Sequence, residues 1–111
     1  MRTSELSGIA LDWAVAKCEG VNYHGPAWTK FSTDWAQGGP IIEREGITVS
    51  RTDQKLDKGQ MPWVAYLIEH LFEDEYEHEY QHGPTPLIAA MRCYVASKLG
   101  NEIQIPEELT V

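Results

Sequence analysis

GPTPLIAAMRCYVASKLG, residues 83–100, predicts a helix with a signal at each end. Thr85 is placed to cap the N-terminus, Pro86 suits the first helical position, and Gly100 suits the left-handed residue that ends a helix. Nearly every side chain between them is apolar or small, and Arg92 is the only charge before the last turn. A helix that is apolar on nearly all sides has to be enclosed by the rest of the domain or by a partner chain.

The rest of the chain predicts an α+β fold around that helix. Residues 4–19 show helical spacing of apolar side chains, which predicts a second long helix. Residues 47–51 alternate apolar and polar side chains and residues 63–68 are apolar on both faces, which predicts an antiparallel hairpin of a half-buried and a buried strand. Residues 102–106 are expected to add an edge strand. We therefore expect two long helices packed on a small antiparallel sheet, in a single domain that spans residues 1–111.

Two segments interrupt this regular pattern. Residues 21–39 are rich in Gly, Pro, Asn and aromatic side chains, which predicts a long ordered loop, and 40–46 predict a single helical turn that Pro40 opens. Residues 69–82 are crowded with acidic side chains and predict a solvated, mobile insertion.

Composition excludes several classes of protein. The formal net charge of −8 argues against direct binding of duplex DNA, which needs a basic face, but it suits a basic protein partner or mimicry of a nucleic acid. No stretch approaches the roughly 20 apolar residues of a membrane span, and no signal peptide is recognisable at the N-terminus. We expect a cytoplasmic protein in which Cys18 and Cys93 are reduced thiols.

Arg92 is the first candidate binding residue, because in a helix it shares an apolar stripe with Ile88 and Val95. An unpaired buried charge is expensive, so the guanidinium needs a partner. One interpretation is an internal ion pair, with Asp12 as the obvious carboxylate. The other is an anion-binding arginine at the floor of a pocket, where its planar fork would hold phosphate or carboxylate.

Residues 32–42, STDWAQGGPII, form the second candidate site. Gly38 and Gly39 before the predicted helical turn would leave backbone N–H groups open to an anion. Trp35 would stack a flat ligand and Asp34 would accept from ring or ribose donors. The alternative is a tight turn in which Trp35 is a core residue and Asp34 caps locally. The spacing matches neither the P-loop nor the dinucleotide fingerprint.

Other chemistry is weakly indicated. His78 and His82 have metal-ligand spacing if they lie on a helix, but the composition around them is typical of a solvated face. Neither cysteine has a neighbouring histidine in the sequence, and no nucleophile or paired-carboxylate arrangement stands out. We expect no catalytic residue, no metal and no cofactor.

Three blocks of sequence resemble the NinX-like family of small proteins from tailed phages and prophages. The blocks are TSEL at 3–6 with LDWAVA at 11–16, STDW at 32–35 with GGPIIERE at 38–45, and residues 83–100. The resemblance spans nearly the whole chain, and it implies an accessory protein made during infection or carried by a prophage. It implies no particular activity, and residues 21–29 and 69–82 are where departures from the family are expected.

These observations favour a non-enzymatic binder of a small anionic, nucleotide-like ligand, which in a phage setting could sequester a host immune signal. The expected ligand-binding residues are Arg92, Asp34, Trp35, Gly38, Gly39 and Thr85. The alternative is an acidic protein-interaction module, or DNA mimic, that inhibits a host factor. An enzyme acting on nucleotides is a third hypothesis. A homo-oligomer is expected, because one layer of so short a chain leaves faces of the apolar helix to be covered.

Overall fold

The computed structural model of the chain describes residues 1–52, 61–67 and 80–109. Within them, three α-helices and a three-stranded antiparallel sheet of order β1-β2-β3 form an α+β fold. The helices are α1 (Gly8–Glu19), α2 (Trp35–Glu45) and α3 (Pro86–Leu99). The strands are β1 (Ile47–Arg51), β2 (Trp63–Leu67) and β3 (Gln81–Gly83), and short 3₁₀ turns lie at Thr3–Glu5 and Glu107–Leu109.

Helix α3 forms the centre of the core, as its sequence predicts. The Thr85 hydroxyl oxygen accepts from the Ile88 N–H at 3.1 Å, and Gly100 ends the helix with φ 86°. The helix contacts α1, α2 and all three strands, and its residues from Ala89 to Ala96 are buried. A single chain therefore supplies the enclosure that this apolar helix needs. The homo-oligomer stays a prediction, but the apolar helix no longer requires one.

The predicted hairpin is confirmed: β1 pairs with β2 in the register Ile47↔Leu67 to Arg51↔Trp63. The predicted edge strand at 102–106 is wrong, and β3 is the third strand instead. Residues 101–103 bind the chain's N-terminus, with Thr3 N–H donating to Asn101 at 2.8 Å and Ile103 N–H donating to Met1 at 3.0 Å. The segment pairs with the N-terminus through an isolated antiparallel bridge between Arg2 and Glu102, and it is not a strand of the sheet.

The expectation of two long helices is wrong, because a third helix occupies part of the predicted loop. Asp34 caps α2 by accepting from the Ala36 N–H at 2.9 Å, so the helix begins five residues before Pro40. The first predicted helix is also divided, since Ser7 is extended at φ −152° between the 3₁₀ turn and α1. Of the acidic insertion predicted at 69–82, residues 81 and 82 lie in β3, and residues 69–79, including His78, lie outside the described part.

Candidate functional site

A cleft of about 190 Å³ lies where the loop before α2 meets the N-terminus of α3. It is lined by Ser32, Thr33, Trp35, Thr85, Leu87 and Ile88. Two of the predicted site residues, Trp35 and Thr85, are therefore brought together from positions 50 residues apart in the sequence. The predicted residues Asp34, Gly38, Gly39 and Arg92 do not line this cleft.

Side chains on two helices hold the loop wall of the cleft in place. Asp12 of α1 accepts from the Ser32 N–H at 2.8 Å. Gln37 of α2 accepts from the Lys30 N–H at 2.8 Å and donates to the Trp28 carbonyl at 3.0 Å. These bonds fix an irregular segment that has no strand or helix of its own, and they leave the Trp28 side chain 78% exposed.

Gly38 allows α2 to pack closely against Phe31 and against Leu87 of α3. A Cβ atom on this residue would lie 2.3 Å from the Phe31 carbonyl oxygen and 2.7 Å from Cδ1 of Leu87, both shorter than real contacts. A Cβ on Gly39 would meet the Trp35 ring at an ordinary 3.8 Å. The first glycine is therefore needed for packing α2 against α3, and the second is not.

The expected anion site on the two glycine amides is wrong in its geometry. Both residues lie inside α2, and the Gly38 N–H donates to the Asp34 carbonyl at 2.9 Å. The true N-terminus of α2 carries the Asp34 carboxylate, which occupies the place that a bound anion would take. The alternative interpretation is correct for Asp34, which caps the helix locally. It is wrong for Trp35, which is 55% exposed and is not a core residue.

Thr85 caps the N-terminus of α3 at the cleft. The first N–H groups of a helix have no partner within it. Pro86 has no N–H, and Thr85 accepts from both Ile88 and Ala89, each at 3.1 Å. Leu87 also lines the cleft, although the residue is only 2% exposed.

A buried polar cluster lies beside the same wall. Ser32 is 1% exposed, and its hydroxyl lies beside the Asp12 carboxylate. Burial raises the pKa of the Asp12 carboxyl, and the neighbouring hydroxyl and N–H of Ser32 partly offset that rise. The Tyr23 hydroxyl is buried without a described partner, and burial and the Asp12 charge raise its pKa.

Arg92 serves as a link between backbone segments. Its Nε donates to the Leu6 carbonyl and its Nη1 to the His82 carbonyl, each at 2.7 Å. The residue is 6% exposed, and burial lowers the pKa of its guanidinium. No carboxylate of the described segments pairs with it, and Asp12 bonds to Ser32 instead. The internal ion pair with Asp12, one of the two interpretations of Arg92, is therefore not formed.

A charged network that the sequence does not reveal joins the C-terminal ends of the three helices. Arg44 of α2 donates to both carboxylate oxygens of Glu19 in α1, at 3.0 and 2.6 Å, and to Glu45 at 2.8 Å. The Tyr94 hydroxyl of α3 also donates to Glu19, and Lys98 pairs with Glu45 at 3.2 Å. The only sequence signal is a basic residue in the last turn of each helix.

Within the described residues, the thiols and the metal-ligating side chains form no second chemical site. Both cysteines are free, and burial raises the pKa of Cys93 to about 12 and of Cys18 to about 11. Thiols of such high pKa are protonated and unreactive at neutral pH. Residues 1–52, 61–67 and 80–109 contain no cluster of three or more metal-ligating side chains, and none of their helices is long and apolar enough to cross a bilayer.

The chain is a small α+β protein with a cleft where the loop before α2 meets the N-terminus of α3. The family model described as Bacteriophage P22, NinX matches residues 2–98, and the chain belongs to that family. No curated protein matches the chain. Every residue that lines the cleft falls inside the matched span. A second, wider cleft of about 570 Å³, lined by Met1, Trp13 and residues 104–106, extends beyond it at both ends.

Proposed function

We propose that this phage accessory protein acts by binding a small, nucleotide-like ligand, whose flat ring enters the cleft and stacks on Trp35. The observation that carries the proposal is the 55% exposed Trp35, which lies at the edge of a cleft also lined by Thr33 and Thr85. An indole so exposed gains from being covered by another ring. In the host cell, such binding would withdraw a nucleotide signal from immunity.

The size of the cleft decides which part of the ligand it takes. At about 190 Å³ it is smaller than the roughly 300–1,000 Å³ of pockets that enclose a drug-sized molecule. One heterocyclic ring fits, so the anionic part of the ligand would remain outside. The exposed Lys30 lies in the turn that contains Thr33, whose N–H donates to the Lys30 carbonyl at 3.2 Å. Its positive charge suits a phosphate at the mouth of the cleft.

The side chains around the cleft suit binding of a ligand without its chemical turnover. Asp12 is buried and holds the Ser32 N–H, and the Asp34 carboxylate caps α2. Arg92, which we first expected to hold the anion, is committed to two backbone carbonyls. The cleft therefore offers stacking and hydrogen bonds, and these suffice for a protein that stores a ligand.

The test is the thermal midpoint of the purified protein with nucleoside monophosphates and cyclic dinucleotides, followed by calorimetric titration of each ligand that raises it. Trp35→Ala should abolish the rise. Trp28→Ala is the matched control, because Trp28 is also exposed in the same region but does not line the cleft. A rise that survives in Trp35→Ala, or no rise with any of these ligands, contradicts the proposal. Intact ligand recovered after denaturation separates binding from turnover.

A second candidate function is suggested by Trp28, which is 78% exposed on a loop that Gln37 holds rigid. Exposed tryptophans on rigid supports are typical anchors of protein interfaces. Together with the net charge of −8, this favours an acidic interaction module that inhibits a basic host protein. For this function, Trp28→Ala should abolish capture of the partner by the tagged protein. Trp35→Ala should retain part of the capture that does not depend on nucleotide. Equal capture by wild type and Trp28→Ala counts against this function.

A further inference from the structure

We infer that this chain forms a two-fold dimer in which Trp28 of each copy enters the cleft beside Trp35 of the other copy. The partner is a second copy of the same chain. The surface involved consists of the turn at residues 25–29 and the cleft, and we call it the tryptophan surface. The inference goes beyond the proposed function, because it rests on the shape and charge of this surface and needs no nucleotide.

The turn that carries Trp28 is held in place by the chain itself. The Gly25 carbonyl accepts from the Trp28 N–H at 3.2 Å and from the Thr29 N–H at 2.9 Å. The Thr29 hydroxyl oxygen accepts from the His24 N–H at 3.0 Å, and Gln37 binds the Trp28 carbonyl. These bonds fix the backbone and leave the indole exposed. A large side chain on a rigid support loses little conformational freedom on binding, which favours an anchor role.

The cleft has the size and the lining that an indole ring needs. Its volume of about 190 Å³ takes one ring system, and its lining includes Trp35 and Ile88. Aromatic pairs favour an offset stack or an edge-to-face contact, and the exposed Trp35 offers its ring for either. The N–H of a buried indole needs an acceptor, and the exposed Thr33, which also lines the cleft, offers a hydroxyl oxygen.

The protruding side chain and the cleft lie at the same end of α2, as a two-fold dimer requires. Gln37 of this helix binds the backbone of Trp28, and Trp35 is the first residue of the helix. In a two-fold interface each copy contributes the same surface, so that surface has to be complementary to itself. Trp28 does not line the cleft of its own chain, so its indole is available to a second copy.

The charge of the tryptophan surface favours a second copy over a basic partner. Residues 20–42 contain Lys30 and Asp34 as their only lysine, arginine, aspartate or glutamate, so this stretch is neutral within a chain of net charge −8. A basic protein is attracted to acidic surface, whereas two identical acidic chains repel each other least where they are neutral. Two copies therefore meet here at little electrostatic cost.

The experiment is sedimentation equilibrium of the ligand-free protein from about 1 μM to about 1 mM. Wild type should pass from monomer to dimer, because an interface centred on four tryptophans, at roughly 150–250 Å² each, is small and its dimer depends on concentration. Trp28→Ala and Trp35→Ala should each raise the dissociation constant at least about tenfold. Ile9→Ala is the matched control, because Ile9 is exposed on α1 outside this surface, and it should dimerise like wild type. A wild type that stays monomeric throughout, or a dimer that Trp28→Ala leaves unchanged, overturns the inference.

Salt and ligand separate this dimer from the other possible contacts. Screening of the two negative chains should strengthen the dimer between about 0.1 M and about 1 M NaCl, and a dimer that weakens there overturns the inference. If the proposed function holds, a nucleotide that binds should also dissociate the dimer, since both occupy one cleft. A dimer with no ligand binding supports this inference and contradicts the proposed function, whereas ligand binding by a chain that is monomeric throughout does the reverse.

Discussion

Arg92 Nε donates a hydrogen bond to the carbonyl oxygen of Leu6 at 2.7 Å, across 86 residues of sequence. A second bond of the same length, from Nη1 to His82, adds the strand β3 to the connection. One guanidinium thereby joins the N-terminal segment, the sheet and the central helix. A charge in an apolar helix, which suggested a ligand site, is used here to satisfy backbone carbonyls at the places where three segments meet.

Arg92→Met should destabilise the protein by about 3 kcal/mol, because it fills similar volume but leaves two carbonyls without their donor. The measurement is the free energy of unfolding in urea. Any ligand-induced rise in thermal midpoint should persist in this variant, scaled to its lower stability. Stability within about 0.5 kcal/mol of wild type, with loss of ligand binding, would restore the anion-binding role of Arg92.

Gly38→Ala and Gly39→Ala form a matched pair of neighbouring substitutions in α2. The first should cost about 2–3 kcal/mol, since its Cβ would collide with backbone at 2.3 Å. The second should be neutral or should stabilise by up to about 1 kcal/mol, because alanine favours the helix and its Cβ has room. Chemical denaturation of both variants checks this. Equal effects would contradict the close approach of Gly38 to Phe31.

The network around Arg44 should make the protein less stable in acid. Hydrogen bonds to Arg44 hold the pKa of Glu19 and of Glu45 below their ordinary 4.5. The folded state then binds fewer protons than the unfolded state, so the stabilisation is present above pH ~4.5 and is lost as the pH falls through the folded values. Glu19→Gln should lose about 1 kcal/mol at pH 7 and show a flatter acid limb in denaturation between pH 6 and pH 3. An unchanged acid limb would argue against the network.

Local signals in the sequence predicted much of the fold. Thr85 and Gly100 bound α3 because capping acts between near neighbours, and the alternation in 47–51 predicted a strand because a half-buried sheet has a period of two. The start of α2 was misplaced because Pro40 suggested a first helical position, whereas the Asp34 cap acts six residues earlier. The strand β3 has three residues, too short for a period to show.

Only part of the candidate site could be predicted from the sequence. Trp35 and Thr85 were identified from residue type and position, and the fold brings both to the cleft. The anchoring of Ser32 was not predictable, because its burial and its bond to Asp12, 20 residues away, arise only from the tertiary fold. Arg92 was misinterpreted because its partners are main-chain carbonyls, and every residue has one, so no sequence pattern marks them.

Asp12→Asn should separate the cost of a buried charge from the benefit of its hydrogen bond. The amide oxygen of asparagine can still accept from the Ser32 N–H, so the loop should remain attached to α1. Because burial raises the pKa of Asp12 above its ordinary 3.8, the folded wild type takes up a proton before the unfolded chain does as the pH falls. The contribution of this carboxyl to stability therefore increases on acidification, opposite in sign to that of Glu19.

The measurement is the difference in unfolding free energy between Asp12→Asn and wild type from pH 7 to pH 4. The variant should be equal to or more stable than wild type at pH 7, and its advantage should shrink toward pH 4 as the wild-type carboxyl becomes neutral. A variant that loses more than about 1 kcal/mol at pH 7, with no dependence on pH, would show that the charge itself holds Ser32. In that case the carboxylate is a stabilising anchor of the cleft wall, and its burial carries no net cost.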